Sequence, residues 1–157
     1  MFTVELKGAE QLNRALEQLG GAGARKVARS AIRKGAKPIQ ASAKSNARSI
    51  VGGSLGAALA KYVKIKAFSR SVARRVPGVS VLVDAAGNDE FVVTSKAGRR
   101  NYIPSAIEYG HDNAAPIPFM RQAFETKKAA ALSAVTSALR AGIEREAKRL
   151  AKAGAAA

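Results

Sequence analysis

Histidine occurs once in this chain, at His111, and Asp112 follows it. An imidazole beside a carboxylate is the beginning of a general-base dyad, but the dyad needs a nucleophile, and no Ser stands in a recognisable elbow. His111 therefore reads as a loop or interface residue. Glu108, three residues earlier, is a lone acid amid basic residues, with no second carboxylate near it to form an acid–base pair. Its candidate partners are Arg99, Arg100 and Arg121, and such a pair fixes geometry. The glycines Gly52 and Gly53 lie in ARSIVGGSL, which lacks the Lys and the Ser/Thr of a phosphate loop. With no Cys and a single His, disulfides and thiolate metal sites are excluded and zinc has no ligand set. No catalytic residue, metal or cofactor is expected.

The remaining chemistry is charge. There are 27 basic and 11 acidic residues, a net charge of +16, and no acid lies between Gln18 and Val83, where Lys and Arg occur 14 times. Such a field attracts polyanions over a Debye length, ~8 Å at physiological salt. It is read either as a solvated face or as a sign of nearby nucleic acid. Binding would be to the phosphate backbone, because aromatics do not interleave with the basic residues and no recognition-helix motif is present.

The elements that must position these groups come from hydropathy and punctuation. A chain of 157 residues makes a single domain over 1–157 the default. The hydrophobic fraction is 47%, but much of it is Ala and aromatics are 5%. The core should be thin, which favours burial against neighbouring subunits. No run approaches 18 apolar residues, so no membrane span is expected, and the start MFTVELKGAE is not a signal peptide, which favours a cytoplasm as the place of synthesis and residence.

Residues 2–7 alternate as a strand, and Leu12, Ala15, Leu16 and Leu19 mark a short helix broken by Gly20, Gly21 and Gly23. A second helix is expected over about 24–47, with Val27, Ala28, Ala31, Ile32, Gly35, Ile39 and Ala43 on its apolar face, and kinked or split by Pro38. Residues 45–56 read as a flexible Ser/Gly loop with room for one turn at Leu55–Leu59. Strands are expected at 61–68, with Tyr62, Lys64 and Lys66 on one face, at 79–83 and at about 90–95, joined as an antiparallel meander. The fold class is thus α+β: an antiparallel sheet of three to four strands packed with helices, ending in one long helix.

That last helix is entered through Asn101–Glu125, NYIPSAIEYGHDNAAPIPFMRQAFE. Helical turns from Tyr102 should stop at Gly110 as a left-handed cap, a polar loop follows, and Pro118 opens a helix at Phe119. Run to Lys152, that helix would span ~50 Å, and residues 153–157 should fray. Phe119 and Phe124 are the expected core anchors.

The order Y-I-x-x-x-I-E-Y-G-H, a short loop, then P-I-P-F-M-R-Q-A-F-E resembles a tail-component family of long-tailed bacteriophages. The match lies on Tyr102, Ile107, Glu108, Tyr109, Gly110, His111, Pro118, Phe119, Met120, Arg121, Ala123 and Phe124. The opening strand and helix fit as well, through Val4, Leu6, Gly8, Leu12, Ala15, Leu16 and Leu19. Two departures stand out. ARSIVGGSL at 47–55 lacks the Pro and Thr of the family's loop, and Gln122 replaces its Pro. The resemblance implies a structural protein of the phage neck that completes the tail and joins it to the head, and no enzyme. It implies a homo-oligomeric ring of about six copies, between a head-closure or connector protein and a tail terminator or tail tube protein. Genomic DNA would pass non-specifically through the lumen, and the protein would be assembled in the host bacterial cytoplasm into the virion neck. Arg70, Arg74, Arg75, Arg99 and Arg100 are the residues expected to face that DNA. The alternatives are a tail terminator or head-closure protein of the same neck, or a non-specific basic DNA-binding protein.

Overall fold

Leu12, Ala15 and Leu16 are half-buried along the first helix, α1 (Ala9–Gln18), and Leu19 is half-buried just beyond it, as their spacing requires. The computed structural model describes residues 9–69, 78–84, 91–94, 96, 98, 100–111 and 113–154, so the expected strand at 2–7 lies outside the described residues. The chain divides into two compact units: Met1–Gly35 with Ala67–Val79 and Leu132–Ala157, and Ala36–Lys66 with Ser80–Ala131.

The second helix, α2 (Gly20–Asn46), starts earlier than expected. The break falls at Gly20 alone (φ +73°), and Gly21 and Gly23 are helical, because the Ala and Arg around them are strong helix formers. Pro38 does not split α2. Its missing donor and ring clash cost about 3 kcal/mol, and burial of Gly35, Ala36 and Ala43 on either side of it offsets that loss.

Residues 45–56 are a further correction, since they do not form a loop. The backbone closes a π-helical turn over Ala47–Val51, with Gly52 N–H bonded to Ala47 O at 3.1 Å. Helix α3 (Gly53–Tyr62) follows and buries Gly56, Leu59 and Ala60. Gly56 packs on the π turn so closely that a Cβ there would lie 2.3 Å from the Ala47 carbonyl oxygen. Packing thus overrides the Ser/Gly composition.

Strand β1 (Val63–Ala67) pairs with β2 (Val79–Val83). Tyr62, N-terminal to β1, ends α3, while Lys64 and Lys66 stand on the exposed face opposite buried Val63. Strand β3 (Val92–Thr94) does not extend this sheet into a meander. It pairs antiparallel with β4 (Arg100–Tyr102), Val92 opposite Tyr102 and Thr94 opposite Arg100. Three residues make a ladder only with a partner close in the chain, and the five-residue connection to Arg100 supplies one. The four described strands therefore form two two-stranded sheets, and the α+β class holds.

Helix α4 (Ile103–Tyr109) and the long α5 (Phe119–Gly154) complete the order. Of the expected frayed tail, 153 and 154 are helical and 155–157 lie outside the described residues. In the second unit one apolar cluster gathers Ala43, Ala47, Leu59, Ala60, Val63, Phe91, Phe119 and Ala123, and the Tyr62 and Phe91 rings meet edge to face at 5.3 Å. Of its eight members four are Ala, so the core is as thin as the composition indicates. In the first unit, α2 and the C-terminal half of α5 pack through Val27, Gly142 and Glu146.

Candidate functional site

A helix begins with four backbone N–H groups that have no partner inside it. At the start of α5 the first of these positions, Pro118, has no N–H to leave unpaired, and the other three are satisfied. Phe119 N–H bonds to Ile117 O (2.8 Å), and the helix's own ladder begins with Gln122 N–H to Pro118 O (3.1 Å). The remaining two are taken by one carboxylate: Met120 N–H donates to Glu108 Oε2 and Arg121 N–H to Glu108 Oε1, both at 2.8 Å. Negative charge there also complements the helix dipole. Arg121 closes the arrangement, donating from Nε to Glu108 Oε1 (3.2 Å) and from Nη2 to the Glu108 backbone carbonyl (2.7 Å). Of the candidate partners for Glu108, Arg121 is paired with it, and Arg99 lies outside the described residues. Glu108 is 5% exposed, and its burial is tolerated because both oxygens are hydrogen-bonded.

The motif residues around this pair each have a place. The Arg121 guanidinium lies 5.2 Å from the Tyr109 ring centroid. Gly110 ends α4 with φ +78° and ψ 177°, a positive-φ extended conformation and not the left-handed helical cap expected. Its N–H bonds to Ala106 O, and a Cβ there would lie 2.9 Å from Ala114 O. The chain then turns through a paired bridge, His111 N–H to Ala114 O and back, each 3.0 Å, and Nδ1 of exposed His111 accepts from Asn113 N–H at 3.3 Å. Asp112, the other half of the dyad considered above, lies outside the described residues. Ile117 N–H ties the entry strand to Ile107 O at 2.7 Å. Phe119 and Ala123 are fully buried.

Two observations depart from the reading of the sequence. Phe124, expected as a core anchor, is 51% exposed. It stands five residues from Phe119, about 140° around the helix, whereas Ala123 at i+4 shares the buried face. The second is Asn46, whose side-chain amide donates to Phe119 O at 3.1 Å from 73 residues away, an interaction without a local sequence signal.

Beside the clamp a groove of about 800 Å³ runs along β4, α4 and the His111 turn, with Val93, Tyr102, Ile103, Tyr109 and Ile117 in its lining. The Tyr102 hydroxyl bonds to Val83 O at 3.0 Å. Of the residues expected to face DNA, Arg100 is on β4 and exposed, and Arg70, Arg74, Arg75 and Arg99 lie outside the described residues. Among the described residues no group of three His, Cys, Asp or Glu gathers in metal-binding range, and no helix is long and apolar enough to cross a membrane.

The chemistry of this arrangement is positional: it joins α4, the proline entry and the first turn of α5 into one hydrogen-bonded block. A family model described as "Bacteriophage HK97-gp10, putative tail-component" matches residues 10–111, about two thirds of the chain. No curated protein and no solved structure matches it. The matched span takes in Glu108, Tyr109 and Gly110 of the clamp, and the chain belongs to the HK97 gp10-like family of bacteriophage tail components.

Proposed function

We propose that this tail component is a structural protein of the virion neck, completing the tail and joining it to the head as a ring through which the genome passes. The observation that carries the reading is the Glu108–Arg121 clamp. The buried carboxylate of Glu108 is wholly engaged in fixing a helix start, a role that serves a rigid assembly part. Surface supports it too. Phe124, Tyr109 and Val93 are 51%, 68% and 53% exposed, large apolar groups that an assembled ring would cover. The thin, Ala-rich core points the same way.

The ring would be closed by identical head-to-tail contacts, about six of them. Its neighbours would be a head-closure or connector protein on one side and a tail terminator or tube protein on the other. The test is a phage lacking this chain. DNA-filled heads and finished tails should accumulate unjoined, and purified protein added to the lysate should restore infectious particles. Absent or endless tails, with heads unaffected, would instead assign it to tube building or termination. Normal joined particles would remove it from the neck.

A further inference from the structure

On the N-terminal half of α2, Arg25, Arg29 and Arg33 recur every fourth residue, a step of about 6 Å along the axis. With Lys26 and Ser30 they line a groove of about 550 Å³ that Ala67 helps to close. Like charges at this spacing repel by about 0.2–0.5 kcal/mol per pair, and a helix normally relieves them with Glu or Asp one turn away. Here α2 contains no acid in 27 residues. Among the described residues, no carboxylate pairs with Arg25, Arg29 or Arg33. Ion pairs among the described residues lie elsewhere, as with Lys64 and Lys66 on Asp84, Arg121 on Glu108, Lys128 on Glu125 and Arg149 on Glu146.

We infer that this arginine row is a site for the phosphodiester backbone of duplex DNA. Guanidinium groups suit phosphate because they donate two parallel hydrogen bonds. A regular row on a rigid helix can follow successive phosphates, and the Ser30 hydroxyl adds a neutral donor of the kind common in backbone contacts. The groove is lined by cations, one hydroxyl and the small apolar side chains of Ala22, Ala67 and Val79, with no amide or carboxylate side chain, and a row that follows phosphates carries no sequence information, so binding is independent of sequence. The inference rests on the neck reading for its place in the virion, but not for its chemistry, which an isolated protein tests.

The experiment is the salt dependence of full-length protein binding to two short duplexes of unrelated sequence. Three variants are compared with the parent: R25Q/R29Q/R33Q; R25K/R29K/R33K; and K127Q/R140Q/K152Q, which removes the same charge from exposed positions on α5. If the row binds phosphates, the first variant lowers the slope of log K against log salt by about 2.7, that is ~0.9 for each phosphate no longer neutralised. The lysine variant keeps most of the slope, the α5 variant keeps nearly all of it, and both duplexes behave alike. Equal losses in the two glutamine triples would show a diffuse field and overturn the site. So would parent-like binding by R25Q/R29Q/R33Q, competition by inorganic phosphate at concentrations far below its ionic-strength effect, or a marked preference for one duplex. Should the glutamine triple fail to fold, R29Q alone must lower the slope by about 0.9, and an unchanged slope overturns the assignment. None of these outcomes depends on whether heads and tails join, so failure here leaves the neck reading standing.

Discussion

Glu108 shows how one side chain sets a joint. Truncation to Ala leaves two N–H groups at the start of α5 without an acceptor and Arg121 Nε without its carboxylate. The expected cost is about 2–4 kcal/mol, mostly desolvated donors, whereas R121A, which removes a half-exposed cation, should cost about 1 kcal/mol or less. Chemical denaturation of the two variants checks the order; equal losses would mean the ion pair, and not the helix cap, holds the joint. Phe119 and Phe124 make a sharper contrast. F119A should cost about 3–5 kcal/mol and F124A within about 0.5 kcal/mol, although the two residues look interchangeable in the sequence. What is legible here is local and covalent: Gly110 as the stop and Pro118 as the start follow from their own backbone constraints. That Glu108 finds Arg121 is undetermined by the sequence, because it depends on where the turn at His111–Ala114 returns the chain. Asp84 and Glu146 give stability a pH dependence. The Lys66 hydrogen bond, helped by the nearby charges of Lys66 and Lys64, holds the Asp84 carboxyl below its ordinary range, and the Arg149 hydrogen bond, helped by the charges of Arg149 and Lys26, does so for Glu146. A carboxyl with a depressed folded-state value binds protons more readily when unfolded, so its stabilisation is complete above its ordinary pKa and is lost as pH falls. The melting temperature should therefore drop below about pH 4, and D84N should flatten that slope. A flat profile in the parent would contradict both pairs.

At the scale of elements, the two-stranded sheets and the helix over 53–62 are where pattern reading stops. Arg100–Tyr102 is too short and too polar to announce a strand, and it becomes one because Val92–Thr94 lies across a short connection. Residues 47–62 carry Gly and Ser that favour a loop, yet Ala47, Leu59 and Ala60 are buried there and hold it helical. Gly56 is the consequence: α3 rests on the π turn only if that position lacks a side chain. G56A should destabilise the second unit by about 1–3 kcal/mol or more, visible as a fall in denaturation midpoint with loss of α3 amide protection. An unchanged midpoint would mean the π turn yields to the new methyl group. The helix boundaries at Gln18 and Phe119 are legible because a positive-φ glycine and a proline mark them.

For the whole molecule, the charge of +16 and the Ala-rich core are both plain in the composition. Phe124 is a large apolar group left half exposed in the isolated chain. F124A is accordingly expected to leave the isolated protein as stable as the parent while reducing its capacity to restore joining in a depleted lysate, roughly tenfold or more if Phe124 is an interface anchor. The neck location is tested most directly by the position and number of this chain in purified virions, by electron microscopy of particles carrying a tagged copy together with quantitation against the tube protein. A single focus at the head–tail joint, with about six copies per particle, is the result predicted. Label distributed along the tail, or absent from finished virions, would contradict it.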